Sequence, residues 1–244
     1  MHVIVWSDDA RGAALEGPAA ALHPDGVNGT VADIVREQLG AAVTVTTAGL
    51  EDPDQGLSDD ALEMADVLVW WGHEAHDQVS EPAVDRVQRH VLAGLGLVVL
   101  HSGHHSKPFR RLMGTTCDLS WRERGGDEEL VWTIDPTHPV AAGVEQPIVL
   151  GRHEMYGEPF DIPAPDALVF VSAFTGGEVF RSGCGFQRGA GRIFYFSVGH
   201  ETHPVYQHPQ VRRVIGNAVG WAKAVDRRPA RTPAGEAPAA WGAR

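Results

Sequence analysis

Four short segments hold most of the histidines of this chain. Eight of the thirteen histidines lie in WWGHEAH, which begins at Trp70, in LHSGHHS, from Leu100, in GRHEMYGE, from Gly151, and in FYFSVGHETH, from Phe194. At least three of these segments directly follow apolar runs that are typical of β-strands. Because ligands of open α/β sheets bind outside the carboxyl ends of the strands, the sequence predicts that the four segments share one polar site.

The side chains in these segments suit a divalent metal ion. Neutral imidazoles with one or two carboxylates are typical ligands of zinc, manganese and similar ions that keep a position open for a substrate. The segments lack the HExxH spacing, so the ligands would have to come from different strand ends. The alternative for any single histidine is a hydrogen bond to a backbone carbonyl that orients a loop.

Several carboxyl groups in the same surroundings could move protons. They lie among aromatic and glycine residues rather than in charged runs, and burial there would raise their pKa and suit them to general acid or base catalysis. The carboxyls concerned are Glu154, Glu158, Glu178 and Glu201. The alternative for each is an ion pair with one of the nearby arginines.

Aromatic side chains near the same strand ends could stack on a pyranose ring. Trp70 and Trp71 precede the first histidine of their segment, and Tyr156 and Phe160 follow Glu154. The alternative is that these rings are part of the hydrophobic core.

The turn HSGHHS has the outline of the strand–turn–helix elbow that carries the nucleophilic cysteine of class I glutamine amidotransferases. The corresponding position here is Gly103, next to Ser102, so no acyl-enzyme is expected at this turn. Backbone N–H groups at the start of the following helix could still bind an oxyanion or a sugar hydroxyl. The sequence has no GxGxxG after its first strand, no phosphate-binding loop and no GxSxG, so we expect no nucleotide cofactor.

Strands and helices alternate in the first half of the chain. Strands are predicted at residues 2–6, 42–47, 66–71 and 97–100, and helices at residues 30–39, 62–64 and 80–93. The second half predicts antiparallel strands at residues 121–124, 129–134, 147–150, 167–172, 178–181 and 192–196, and a closing helix at residues 210–225. The pattern indicates an α/β fold with a doubly wound, mostly parallel sheet and an added antiparallel portion.

Composition limits the classes of partner. The 244 residues fit one α/β domain over residues 1–224, and the proline- and alanine-rich residues 225–244 are expected to be a disordered tail. A formal net charge of −12 argues against a nucleic-acid partner. We find neither an apolar run of membrane-spanning length nor a signal peptide, so we expect a cytoplasmic protein with no membrane partner. Cys117 and Cys184 support neither a disulfide framework nor a thiolate zinc site.

Several longer strings resemble the ThuA-like, trehalose-utilisation family. They are WWGHEAHDQV, LHSGHHSKPFRRLMGT, EMYGEPFDIP, GGEVFRSGCGFQRGAGRIFYFSVGHETHPVY and NAVGWA, and the resemblance spans residues 1–224 in order. It implies a flavodoxin-like fold of the class I glutamine amidotransferase-like superfamily without the catalytic cysteine. It also implies a role in the catabolism of trehalose and related disaccharides, beside a dehydrogenase that makes 3-keto sugars. The pocket that it implies consists of His73, His76, His101, His104, Glu154, His200 and Glu201.

From the residues and the resemblance together we expect an enzyme that isomerises or epimerises a 3-keto sugar with the help of a divalent metal. The expected metal ligands are His73, His101, Glu154 and His200. The expected acid–base groups are Glu154, Glu201 and His104. The expected substrate contacts are Trp71, His76, Ser102, His105, Tyr156, Glu158 and Arg181. The alternatives are a non-catalytic sugar-binding or regulatory protein and a hydrolase of keto-glycosides, and a homo-oligomer is left open.

Overall fold

The computed structural model describes residues 1–8 and 17–223, apart from the side chains of residues 124–126. The strands are β1 (His2–Ser7), β2 (Thr44–Gly49), β3 (Val67–Trp71), β4 (Gly96–Leu100), β5 (Ser120–Thr133), β6 (Ile148–Gly157), β7 (Ala167–Phe174), β8 (Val179–Arg188) and β9 (Gly191–Phe196). The helices are α1 (Gly17–Leu22), α2 (Gly26–Leu39), α3 (Asp59–Met64), α4 (Glu81–Leu92), α5 (Lys107–Met113) and α6 (Pro209–Ala222). The predicted disordered tail lies outside the described residues.

The strands form one nine-stranded sheet in the order β2-β1-β3-β4-β9-β8-β7-β5-β6. The neighbours from β2 to β9 are parallel, and those from β9 to β6 are antiparallel. The predicted α/β class, with a parallel and an antiparallel portion, is confirmed. The expectation of a mostly parallel sheet is wrong, because four neighbouring pairs of strands are parallel and four are antiparallel. Strand β9 joins the two portions because it pairs with β4 on one side and with β8 on the other.

Alternating side chains of the strands supply a separate core on each face of the sheet. Val3 and Val5 of β1 pack on the face that α2 and α6 cover, whereas Ile4 and Trp6 pack on the face that α3, α4 and α5 cover. Both faces of a doubly wound sheet are buried in this way, so polar side chains can gather only at its edges. Among the described residues, no helix has both the length and the apolar composition needed to cross a bilayer.

Helices begin where the sequence offers caps. The Ser80 hydroxyl accepts a hydrogen bond from the backbone N–H of Ala83 at the start of α4, and the Ser106 hydroxyl accepts one from Phe109 at the start of α5. Both α4 and α5 have a proline in the first turn, where a backbone N–H would have no partner within the helix. The Ser106 cap fixes the point at which the histidine-rich turn after β4 becomes α5.

Several predicted elements differ from the structure. Strand β8 runs to Arg188, seven residues past its predicted end at residue 181. The two strands expected at residues 121–124 and 129–134 are one strand, β5, whose register shifts between Arg122 and Asp127. Strand β6 extends to Gly157 instead of ending at residue 150, because the polar residues at its far end are buried and hide the alternating pattern. Helix α1 occupies residues that were expected to be loop.

Candidate functional site

Three imidazoles converge at the carboxyl edge of the parallel strands. His73 follows β3, His101 follows β4 and His200 follows β9, which are neighbouring strands. The ring centroids lie 5.0 Å apart for His73 and His200, 5.2 Å for His101 and His200, and 5.5 Å for His73 and His101. One ligand atom from each ring and one carboxylate oxygen of Glu201 all lie within 4.8 Å of one another. We call these four residues the histidine cluster.

His101 is held rigidly at the apex of the turn after β4. Its φ of 52° lies in the left-handed region, which a residue other than glycine adopts at a cost in free energy. Its ring stacks between Trp71, at 6.5 Å, and Tyr156, at 5.5 Å between centroids. Its Nδ1 lies 3.3 Å from the carbonyl oxygen of Ser197. A carbonyl can only accept, so Nδ1 carries the proton and Nε2 offers its lone pair to the cluster.

Gly103 does not occupy the apex of this turn. The positive φ falls on His101, two residues before the position that the sequence analysis assigned. A Cβ on Gly103 would come within 2.9 Å of Cγ1 of Val99, so this glycine allows close packing on β4. Ser102 donates a hydrogen bond of 3.1 Å to the carbonyl of Gly72 and ties this turn to the one after β3.

His73 is oriented by two carboxylates from other strand ends. Its Nδ1 lies 3.0 Å from Oε1 of Glu201, and its backbone N–H donates to Asp8, at the end of β1. Burial is the largest single influence on His73 and opposes its charge, but the bond to Glu201 and the charges of Glu201, Glu154 and Glu74 together raise the pKa of His73. Burial likewise opposes ionisation of Glu201, but the bond from His73 and the charges of His200 and His73 together lower the pKa of Glu201.

His200 has neighbours that the sequence analysis did not assign to the site. Its Nδ1 lies 2.9 Å from Oγ1 of Thr202, and its Nε2 lies 3.7 Å from Oε1 of Glu123 in β5. Glu123, His200 and His203 form a second group whose ligand atoms lie close together. The sequence could have indicated His203, because it belongs to one of the four histidine segments. It could not have indicated Glu123, which lies far from them in the sequence.

Glu154 reaches the cluster from β6. Its Oε2 lies 3.5 Å from Nε2 of His101, and its side chain is only 6% exposed. Burial raises the pKa of Glu154 to about 7. The carboxyl is therefore partly protonated and partly ionised near neutral pH.

The donor atoms of the site fit a divalent cation. Among the described residues, no hydrogen bond reaches Nε2 of His101, Oε2 of Glu201 or Oε2 of Glu154, although all three atoms are buried. Burial, followed by the charges of neighbouring histidines, lowers the pKa of His101 well below its usual value. Burial also lowers the pKa of His200. The neutral imidazoles of His101 and His200 and a carboxylate with an unused lone pair are ligands that such an ion requires, and His73, whose pKa is raised, would release its proton when the ion binds.

Comparison with known proteins assigns this chain to a family. The chain matches the ThuA family, described as trehalose utilisation, over residues 17–222. The chain belongs to the ThuA family. No curated protein matches it.

Solved structures share the fold of this ThuA-family chain. A ThuA-like protein from Parabacteroides merdae is 16% identical, with a TM-score of 0.62, and the match covers 93% of this chain and 92% of that one. A cytoplasmic protein from Salmonella typhimurium is 10% identical, with a TM-score of 0.61, over 91% of this chain and 100% of that one. A β-galactosidase from Rahnella is 14% identical, with a TM-score of 0.58, over 90% of this chain but 30% of its own. At these identities the likeness concerns the fold alone.

Three histidines that were expected in the site, His104, His76 and His105, lie outside the histidine cluster of this ThuA-family chain. His104 is buried, with Nδ1 2.8 Å from the carbonyl of Cys117, and burial lowers its pKa well below the usual value. Its ring contacts that of Tyr156, so it lies one aromatic layer behind the cluster. His76 and His105 form a separate pair with ring centroids 6.1 Å apart, and burial lowers the pKa of His76 to about 4.

The remaining expected substrate contacts differ in their surroundings. Tyr156 lies in the site, with its hydroxyl 3.3 Å from Nδ1 of His101. Trp71 is 2% exposed, and its Nε1 donates to the carbonyl of Gly199, so the ring supports His101 from the core. Glu158 and Arg181 bind each other, with Nε 2.8 Å from Oε1 and Nη2 2.9 Å from Oε2. For these two residues the structure favours the ion-pair alternative.

A second buried carboxyl and imidazole lie beside the site. Oε2 of Glu129 and Nε2 of His153 are 3.2 Å apart, and both side chains are almost fully buried. Burial raises the pKa of Glu129 to about 8 and lowers the pKa of His153 to about 3. His153 precedes Glu154 but points to the other face of β6, so its partner is Glu129 rather than the histidine cluster.

Proposed function

We propose that this ThuA-family chain is an enzyme that moves a proton next to the carbonyl of a 3-keto sugar and thereby isomerises or epimerises it. The observation that carries the proposal is the position of Glu154, a buried carboxyl 3.5 Å from an imidazole of the histidine cluster. A general base works best when its pKa lies near the working pH, and burial raises the pKa of Glu154 to about 7.

Glu154 takes the proton from the carbon beside the keto group. The electron pair of the broken C–H bond moves toward the keto oxygen and produces an enediolate. Return of the proton to the former keto carbon, while the neighbouring hydroxyl proton passes to the former keto oxygen, yields the isomeric ketone. No atom or electron is gained or lost. A single carboxyl returns the proton to the face it came from, which favours isomerisation, whereas epimerisation requires a second group on the opposite face.

The histidine cluster is the proposed cation site. When bound, a divalent ion such as zinc or manganese supplies Lewis-acid polarisation of the keto oxygen. His73, His101, His200 and Glu201 would hold it, because their ligand atoms lie within 4.8 Å of one another. The sequence predicted Glu154 both as a ligand and as an acid–base group, and Glu201 as an acid–base group; this proposal changes both assignments. Glu201 joins the ligands and orients His73, and Glu154 is the acid–base group.

Several finer expectations stay predictions. The order β2-β1-β3-β4-β9 of the parallel strands supports a flavodoxin-like assignment, because flavodoxin-like sheets have the order 2-1-3-4-5. The cytoplasmic location stays a prediction, as do the absence of nucleic-acid, membrane and nucleotide partners and the question of a homo-oligomer.

Solvent exchange tests the proposed reaction. The chain, loaded with zinc or manganese, is incubated with 3-keto-trehalose in deuterium oxide and followed by NMR. We expect deuterium at the carbon beside the keto group and a new keto isomer or epimer. Release of monosaccharide without exchange would instead indicate a hydrolase. Binding without exchange or products would indicate a sugar-binding protein.

A further inference from the structure

Trp121 lies on the face of the β5–β6 ribbon that looks at the histidine cluster. In the antiparallel register Trp121 stands directly opposite Tyr156, and directly opposite residues project from the same face of a sheet. The hydroxyl of Tyr156 is 3.3 Å from His101. Two residues after Trp121, Glu123 lies 3.7 Å from His200. Trp121 is therefore flanked by two residues that contact the cluster.

Trp121 is exposed to solvent, although its partner across the ribbon is buried. It is 62% exposed, whereas the opposite Tyr156 is 5% exposed. Within the described part of the chain, the indole makes no ring contact and no hydrogen bond. Exposure alone does not single it out, because Met64 is 68% exposed. What distinguishes Trp121 is its place beside Tyr156 and Glu123, since aromatic side chains with a few polar groups typically line ligand sites.

The position of the indole suits the outer ring of a disaccharide. Opposite Cβ atoms of an antiparallel pair are about 5 Å apart. The side chain of Trp121 therefore starts about 5 Å from that of Tyr156, on the neighbouring strand. An aromatic face packs against the C–H face of a pyranose, and the indole N–H can donate to a hydroxyl. The carboxylate of Glu123 beside it can accept from another hydroxyl.

We propose that Trp121 is the stacking platform for the non-reacting ring of a disaccharide, while the keto ring binds against the histidine cluster and Glu154. This inference rests on the proposed function, since it assumes a sugar substrate at the histidine cluster. It assigns Trp121 a role in specificity, so that disaccharides are preferred over monosaccharides. The residues expected from the sequence to stack on a pyranose ring, Trp70, Trp71, Tyr156 and Phe160, are all buried.

Trp132 offers a matched control. It lies on the same strand and is also exposed, at 43%, but it is eleven residues farther along β5, at about 3.3 Å per residue. Trp121→Ala, Trp121→Phe and Trp132→Ala are compared with the wild type on 3-keto-trehalose and on 3-ketoglucose. The readout is the ratio of kcat/KM for the two sugars.

We expect Trp121→Ala to reduce this ratio about tenfold, mainly through the KM of the disaccharide, since stacking of this kind contributes enough for such a change. Trp121→Phe should restore most of the ratio, and Trp132→Ala should match the wild type. An unchanged ratio in Trp121→Ala would overturn the inference.

Calorimetric titration with unoxidised trehalose separates this inference from the proposed function. If the wild type turns over neither keto sugar, the proposed function fails and the titration decides about Trp121. Weaker trehalose binding by Trp121→Ala than by Trp132→Ala would then support the platform. Equal binding by the two variants, or no binding by the wild type, would overturn it.

Discussion

Nε2 of His101 lies 3.5 Å from Oε2 of Glu154, and among the described residues neither atom has a hydrogen bond. His101 cannot turn away, because it is stacked between Trp71 and Tyr156 and bonded to the carbonyl of Ser197. The chain therefore holds one buried carboxyl oxygen and one buried ring nitrogen against each other with no hydrogen bond to either atom. A buried polar group without a hydrogen bond destabilises a fold by about 1–3 kcal/mol. Such a cost is expected at a site whose polar atoms find their partners only when a ligand binds.

Glu154→Gln should stabilise the metal-free protein at alkaline pH. The pKa of Glu154 is raised by burial to about 7 from 4.5, so between these values the folded state binds more protons than the unfolded state and stability falls as pH rises. The loss is complete above about pH 7 and amounts to about 3 kcal/mol. Glutamine does not ionise, so we expect the variant to melt at a higher temperature than the wild type at pH 8 and to show a flatter profile.

The exposed Glu128 is the control for this measurement. Melting curves from pH 5 to pH 8 should show no such flattening in Glu128→Gln. A Glu154→Gln variant that loses stability at pH 8 would show that the carboxylate is a necessary structural partner and would contradict the assignment.

The histidine cluster should bind one divalent ion per chain. Elemental analysis of protein purified without chelator or affinity-tag metal measures this stoichiometry. His73→Ala and His200→Ala should each weaken binding by at least about 100-fold, since even neighbours of metal ligands affect affinity by 10- to 100-fold. His76→Ala should retain the ion, because His76 pairs with His105 and Asp8 outside the cluster. A wild type that binds no zinc, manganese, cobalt or nickel would contradict the proposed site.

Gly103→Ala should destabilise the turn after β4. The added Cβ would meet Cγ1 of Val99 at 2.9 Å, and such overpacking costs about 1–3 kcal/mol. Gly151→Ala is the control, because nothing lies within 4 Å of its added Cβ, and its effect should stay within about 0.5 kcal/mol. Urea unfolding of both variants measures the difference. Equal stabilities would mean that Gly103 is not a packing position.

The sequence was most informative where apolar residues recur at the spacing of a strand or a helix. The buried strands β3 and β4 and helix α4 could be predicted from apolar runs and from the Ser80 cap, and the histidines after β3, β4 and β9 indicated a shared edge. The far end of β6 could not be predicted in this way. His153 and Glu154 are polar and buried on opposite faces, so hydrophobic alternation fails where the site is built.

The sequence also could not predict which side chains pair with each other across the site. Glu201 and Glu154 have the same chemistry, and only their distances to His73 and His101 suggest different roles. The contribution of β5 through Trp121 and Glu123 depends on the register of an antiparallel ribbon with a bulge. The register depends on contacts between residues that are far apart in the sequence, so no local sequence pattern predicts it.

Solvent deuterium exchange by Glu154→Gln tests the central claim most directly. Wild type, Glu154→Gln and Glu128→Gln are loaded with the same metal and incubated with 3-keto-trehalose in deuterium oxide, and the proton signal beside the keto group is followed by NMR. We predict that Glu154→Gln exchanges this proton at least about 100-fold more slowly than the wild type, as expected for loss of a general base, while it still folds and Glu128→Gln exchanges normally. Exchange by folded Glu154→Gln within a few-fold of the wild-type rate would contradict the account.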